Sequence, residues 1–320
     1  MNINPINFTH FNSVNNNKDK VQKTGNTEQK TSINSQNKVT SDVFKTYNPQ
    51  LSFTRKVLND EGQKDVMSWL SNKPNKYNGH SVAQTLAAKE PQRYIEVTSN
   101  LSNENKYKLL KLQDTFGNTT AHALAKEGGN LYIVATNGAT PKQKYNLLKL
   151  ANRSKVTVAH NLAQYNPCVF VEATEDLDQD DMLKVLKLKD KEGTTVADNL
   201  ALANPDLYAE EMEYFTPKER LEIIQSKGKD EPTIAHRAIY TNENTYRRST
   251  NGFSREVQFE LFSTGNIASS LAFRDVELYK EITRNFTDEQ KDCLIEQIKS
   301  IDINGNNRDY IQGIIRKITE

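Results

Sequence analysis

The sequence predicts an all-α solenoid of about six repeats, each built of three short helices and closed by a capping helix at either end. Three observations carry this. A small residue recurs at a fixed period: Ala83, Ala121, Ala159, Ala197 and Ala235 stand 38 residues apart, and a period of that length marks stacked supersecondary units. An aromatic residue keeps the same period at Tyr94, Tyr132, Phe170, Tyr208 and Tyr246. Between these positions the apolar residues follow the i, i+3, i+4 spacing of a helix face.

Residues 1–54, rich in Asn, Lys, Gln, Ser and Thr, cannot bury enough apolar surface to offset chain entropy and are expected to form a disordered leader. The helical repeat domain is expected over 55–320. Its first element is a helix over 60–72, with Val66, Trp69 and Leu70 on one face, serving as the N-terminal cap.

Copies begin near residues 76, 114, 152, 190, 228 and 264. Each opens on a turn signal, seen at Asp114-x-x-Gly117 and Asp190-x-x-Gly193, with Asp and Gly at the two ends of a type I turn. Gly79 keeps half of it, and 152–155 and 228–231 depart from it, so the turn reads as a tendency. Ser81, Thr119, Thr157, Thr195 and Thr233 then supply a hydroxyl to cap the first helix. Its buried face is Ala-Leu-Ala, as at Ala159, Leu162 and Ala163, because a larger residue would push apart helices packed ~8 to 10 Å from one another.

Pro91, Pro167 and Pro205 open the second helix, two of them behind Asn166 and Asn204 as expected N-caps, while Gly128-Gly129 makes the break in the second copy. The aromatic stripe on this helix is expected to be core. A third helix opens at Ser102, Thr140, Asp178 and Thr216, with Gln143 and Glu219 completing capping boxes. Residues 240–253 are polar and read as an irregular insertion before the sixth copy, where Ala268, Leu271, Ala272 and Tyr279 resume the pattern. A helix over 307–319 closes the array.

The string Asp-x-x-Gly-x-Thr-x-x-His-x-x-Ala, best kept from Asp114 to Ala125, resembles the turn and first helix of the ankyrin repeat. His122, His160 and His236 fall at that family's His position. The resemblance covers roughly the first third of each copy and departs from the family in the longer period, the missing Pro after Thr and the added third helix. It implies structural histidines, protein binding and no chemistry.

With 42 Lys and Arg against 41 Asp and Glu, the chain lacks the net field that nucleic acid or an anionic membrane calls for. No apolar run approaches the ~20 residues of a membrane span and no cleavable signal is present. Such a chain belongs in the cytoplasm, or is exported without a cleaved signal peptide. Cys168 and Cys293 support neither a disulfide framework nor a zinc cluster and are expected as buried thiols. The acidic run from Glu175 to Asp181 lacks the Gly and distal Glu of a calcium loop and reads as a solvated helix start. No catalytic motif, metal set or cofactor motif emerges.

The function expected is therefore a non-catalytic scaffold, a monomer that binds a protein partner along an extended surface. Alternatives are an enzyme or effector with a site near 240–253, and a helical array that binds nucleic acid, with Arg247-Arg248 as its best feature. Positions of one frame whose residue type varies between copies are free to encode a partner. They nominate Phe116, Arg153, Asn161, Tyr165, Asn199, Arg237 and Tyr240.

Overall fold

In the computed structural model the described residues are 58–74, 77–226, 232–301 and 308–320, all within one compact unit, Arg55–Glu320. The expected disordered leader and the turn at 228–231 lie outside them. Among the described residues the chain is all-helical and contains no strand.

Helix α1 (Asp60–Ser71) precedes six copies of a three-helix unit. The first copy holds α2 (Val82–Lys89), α3 (Pro91–Thr98) and α4 (Asn103–Leu110). The second holds α5 (Thr120–Ala123), prolonged by a π-helical turn over Leu124–Gly128, then α6 (Leu131–Thr136) and α7 (Pro141–Leu148). The third has α8 (Val158–Tyr165), α9 (Pro167–Thr174) and α10 (Gln179–Leu186), and the fourth α11 (Val196–Ala203), α12 (Pro205–Met212) and α13 (Pro217–Ile224). The fifth has α14 (Ile234–Thr241), α15 (Glu243–Thr250) and α16 (Arg255–Ser263), and the sixth α17 (Ile267–Arg274), α18 (Val276–Thr283) and α19 (Asp288–Ser300). Helix α20 (Arg308–Thr319) follows, with the Tyr310 ring stacked on Phe273 at 5.8 Å.

The first helix of each of the first five copies starts where a hydroxyl takes an orphan amide, while α17 of the sixth has no side-chain cap. Ser81 Oγ accepts from Gln84 N at 3.1 Å, Thr157 Oγ1 from His160 N at 3.3 Å and Thr233 Oγ1 from His236 N at 3.2 Å. Third helices repeat the device, including the capping boxes Thr140/Gln143 and Thr216/Glu219. Proline occupies the first turn of α3, α9 and α12. Asn204 caps α12 as expected, accepting from Leu207 N at 3.1 Å. Asn166 does not cap α9: its amide reaches back to the freed Ala125 carbonyl at 2.8 Å, a group left without an α-helical partner by the π turn in the second copy.

First helices of successive copies lie against one another, and Ala83, Ala121, Ala159, Ala197, Ala235 and Ala268 are fully buried at these seams. The aromatic stripe is core: Tyr94, Tyr132, Phe170, Tyr208 and Tyr246 are all buried, and burial pushes the tyrosine hydroxyls well above their usual range. A second periodic row escapes the sequence reading. Thr98, Thr136, Thr174, Thr250 and Thr283 are buried four residues after the aromatic, each donating to the aromatic's own carbonyl at 2.8 to 3.0 Å.

Two expectations are corrected. Residues 240–253 are no irregular insertion: Asn242 caps α15 by accepting from Thr245 N at 3.3 Å, and Tyr246 and Thr250 take the aromatic and Thr places of an ordinary second helix. The polar composition of α15 extends to its buried face, where Thr245, Ser249 and Thr250 lie beside Tyr246. Cys168 and Cys293 are exposed, because Val169 and Phe170 on α9, and Leu294 on α19, hold the buried face and turn the adjacent thiols outward.

Candidate functional site

The turns that open the copies are built from one carboxylate or amide each. Asp114 Oδ1 accepts from Phe116 N and Asn118 N, both at 2.8 Å, and Gly117 closes the turn with a φ of 82°. Asp190 Oδ1 accepts from Glu192 N and Thr194 N at 2.9 and 3.0 Å. The turn at 152–155, expected to depart, has the same geometry: Asn152 Oδ1 accepts from Ser154 N and Val156 N at 2.9 and 3.1 Å. Lys155 takes glycine's left-handed place there, with a φ of 59°. An Asn can replace Asp because only the acceptor oxygen is used. Antiparallel bridges Gln113–Thr119, Ala151–Thr157 and Lys189–Thr195 fasten the base of each turn.

Successive tips are joined by backbone hydrogen bonds. Thr115 N donates to Asn78 O at 3.0 Å, Arg153 N to Phe116 O at 2.9 Å and Lys191 N to Ser154 O at 3.0 Å. The tips therefore form a continuous edge whose backbone is fixed and whose side chains face outward. Phe116 is 57% exposed, and Thr115, Arg153, Ser154, Lys191 and Glu192 are exposed beside it.

Under the edge runs a buried row. His122 Nε2 donates to Val156 O at 3.1 Å while its Nδ1 accepts from Thr119 N and Oγ1 at 3.1 and 2.8 Å. His160 repeats this with Thr194 O at 3.1 Å and with Thr157. Gln84 does the same work in the first copy, donating to Asn118 O at 2.7 Å and accepting from Ser81 N at 2.9 Å. Each side chain thus caps its own helix and grips the next copy's turn. Burial pushes the His122 imidazole down to about 4 and lowers His160 and His236 as well, so the row holds the neutral ring that an accepting Nδ1 requires.

Of the nominated partner-binding residues, the structure brings Phe116 and Arg153 together on the edge. Tyr165 is exposed but lies at the far end of α8, about 12 Å along the helix, beneath the Lys126 ammonium at 5.4 Å. Three others are corrected, because positions of that frame on the first helices face a neighbouring copy. Asn161 Nδ2 donates to His122 O at 3.2 Å, and Asn199 Nδ2 to His160 O at 3.4 Å. Arg237 pairs with Asp198, whose side chain is fully buried. The side chain of Tyr240 lies outside the described residues.

No protein-family model matches this chain, and no curated protein or solved structure does either. Its function must be argued from geometry. Among the described residues no group of three or more His, Cys, Asp or Glu is placed to hold a metal ion, and no helix is long and apolar enough to cross a membrane. Arg247 and Arg248, the best basic feature in the sequence, are engaged by Glu243 and Glu281 and by Glu213. The acidic run is the start of α10, where Asp178 accepts from Asp181 N at 2.8 Å.

Proposed function

We propose that the chain is an ankyrin-like α-solenoid and a non-catalytic interaction scaffold, a monomer that holds a protein partner along the turn edge. The observation that carries this reading is the backbone ladder from Asn78 to Lys191. It fixes a row of exposed side chains that differ from copy to copy on a framework whose Ala seams and aromatic stripe recur. Fixed backbone with variable exposed residues lowers the ordering cost of binding, and repeat arrays present extended surfaces of this kind. The turn and first-helix resemblance to ankyrin repeats supports the same reading, and the paired Arg247 and Arg248 speak against a nucleic-acid array.

The test is affinity capture with the full-length chain and two edge variants, Phe116→Ser and Ser154→Trp, the second placing bulk on an exposed tip. Proteins retained by the wild type should fall at least tenfold with both variants at an unchanged melting temperature. Undiminished retention by both folded variants would move the surface elsewhere.

A further inference from the structure

The turn edge carries a group of cations without an ion pair among the described residues. On the helices, cations meet carboxylates of a neighbouring copy: Lys144 meets Asp176, Lys187 Nζ meets Glu222 Oε2 at 2.7 Å, and Arg248 Nη2 meets Glu213 Oε1 at 2.6 Å. In the turn segments 111–118, 149–156 and 188–194 the pattern is different. Lys111, Lys149, Arg153, Lys155, Lys189 and Lys191 are exposed there and make no ion pair among the described residues.

The carboxylates of the same segments are withdrawn from the edge. Asp114 and Asp190 each spend Oδ1 on the amides of their own turns, Asp114 Oδ2 meets His80 Nε2 at 3.1 Å, and the turn between them carries a neutral Asn152. Glu192 is the exposed exception. Lys111 and Lys149 ammoniums lie over the Tyr107 and Tyr145 rings at 4.3 and 4.4 Å. A ring face positions a cation without neutralising its full charge. A chain with a net charge of +1 thus gathers six exposed cations on the turn segments beside the laddered backbone.

We propose that the partner of the turn edge is an acidic protein segment, bound extended across successive tips with carboxylates seated on the cations from Lys111 to Lys191. The inference rests on the scaffold reading and adds the chemistry of the partner. Equivalent residues of adjacent copies stand about 10 Å apart, the spacing of packed helices. A chain in the extended polyproline II conformation rises ~3.1 Å per residue with about three residues per turn, so residues three apart lie on one face and roughly 9 Å from each other. The segment that fits best therefore carries an acidic residue at every third position, with Phe116 available to an apolar side chain between them. A phosphate backbone fits less well, because Glu192 stands among the cations and the net field is near zero.

The experiment is fluorescence anisotropy with the full-length protein and three probes. These are a labelled peptide of about 13 residues with Glu at every third position, the same peptide with Gln replacing Glu, and a single-stranded RNA of similar length. The Glu peptide should bind, with affinity falling at least tenfold between about 50 and about 500 mM NaCl. The Gln peptide should bind at least tenfold more weakly. Arg153→Glu/Lys191→Glu should remove binding, while Lys280→Glu/Arg284→Glu on α18 should leave it unchanged. Should the reversal lower the melting temperature, Arg153→Gln/Lys191→Gln carries the test with an expected loss of at least fivefold. Equal binding of the Gln peptide, tighter binding of RNA, or full binding by the folded edge variants overturns the proposal. A captured partner lost with Phe116→Ser but kept with Arg153→Gln/Lys191→Gln would remove the acidic class and leave the scaffold reading standing.

Discussion

The seam between the third and fourth copies and the seam between the fourth and fifth solve one problem with opposite chemistry. At the first, His160 is a neutral ring that accepts from Thr157 and donates to Thr194 O at 3.1 Å. At the second, Asp198 occupies the same place. Its Oδ2 accepts from Thr195 N and Oγ1 at 2.9 and 2.7 Å, as the ring nitrogen does. A carboxylate has no proton to give the next turn, so its second oxygen is met by Arg237, which stands where Asn199 stands one copy earlier. Tyr208, Arg220, Tyr246 and Ser249 each bury a polar atom nearby without a partner at bonding geometry. A small cavity lined by Ala201, Pro205, Ile234 and Ala238 lies at the same seam. Two differences, Asp198 for His and Arg237 for Asn, make the hydrogen-bonded contact of one seam a buried ion pair with looser surroundings at the next.

The largest expected effect comes from breaking that pair. Arg237→Ala removes the guanidinium that meets the buried Asp198 carboxylate across the seam and should cost about 3–5 kcal/mol, read as a loss of denaturation free energy. The exchange Asp198→His/Arg237→Asn rebuilds the chemistry of the preceding seam and should be neutral or stabilising by about 1–4 kcal/mol. A large loss in the double variant would show that the ion pair, and not the seam's packing, sets its stability.

Next in size is the histidine row. His122→Ala removes a donor and an acceptor from buried backbone partners and should cost about 2 kcal/mol. His122→Gln, which copies the arrangement at Gln84, should cost less than about 1 kcal/mol, and chemical denaturation of the two variants separates them. Equal losses would mean that ring packing outweighs the hydrogen bonds.

Overpacking tests the shared seam. Ala159→Leu, at a fully buried site, should cost about 1–3 kcal/mol, whereas Gln164→Leu, exposed on α8, should shift the melting temperature little. The comparison fails if the two shifts match.

A pH titration sharpens it further. The His122 pKa in the fold, about 4, lies below its ordinary value of 6.5, so the unfolded chain binds more protons between these values. Stability from this group is present in full above pH 6.5 and is lost as pH falls from 6.5 toward 4. The His122→Gln/His160→Gln variant should show a flatter acid limb over that window in urea melts at stepped pH. An unchanged limb would place the titrating groups elsewhere.

Helix caps, the Ala seams and the aromatic stripe are legible in the sequence because each is one residue type at one spacing with one local cause. The turn at 152–155 is hidden because its requirement is an acceptor oxygen and a left-handed residue, which Asn152 and Lys155 meet without the expected letters. Asn161, Asn199 and Arg237 mislead for a related reason. Variation between copies marks a solvent surface only where no neighbouring copy covers it, and here compensating pairs such as Asp198 with Arg237 vary together in the interior. The thiols defy habit: Cys prefers the interior on average, but Leu294 beside Cys293 already claims the buried side of α19. The edge of the candidate site is half visible in the sequence, in Phe116 and Arg153. Its unpaired charge is not, because the sequence shows which cations exist and not which carboxylates their turns have consumed.

The short passage between α16 and α17 has a consequence for assembly. Thr264 to Asn266 carry the chain directly into α17, with Asn266 in a left-handed conformation at a φ of 65° and no hairpin turn. The sixth copy therefore has no tip that could donate a backbone amide to a preceding tip or offer a carbonyl to a following one. Tip-to-tip growth, in which one molecule's last turn would template the first turn of another, has no acceptor carbonyl at this end, because in the ladder the later tip donates to the earlier one. Polymerisation along the edge is blocked here by an omission of a few residues, without a bulky or charged gatekeeper.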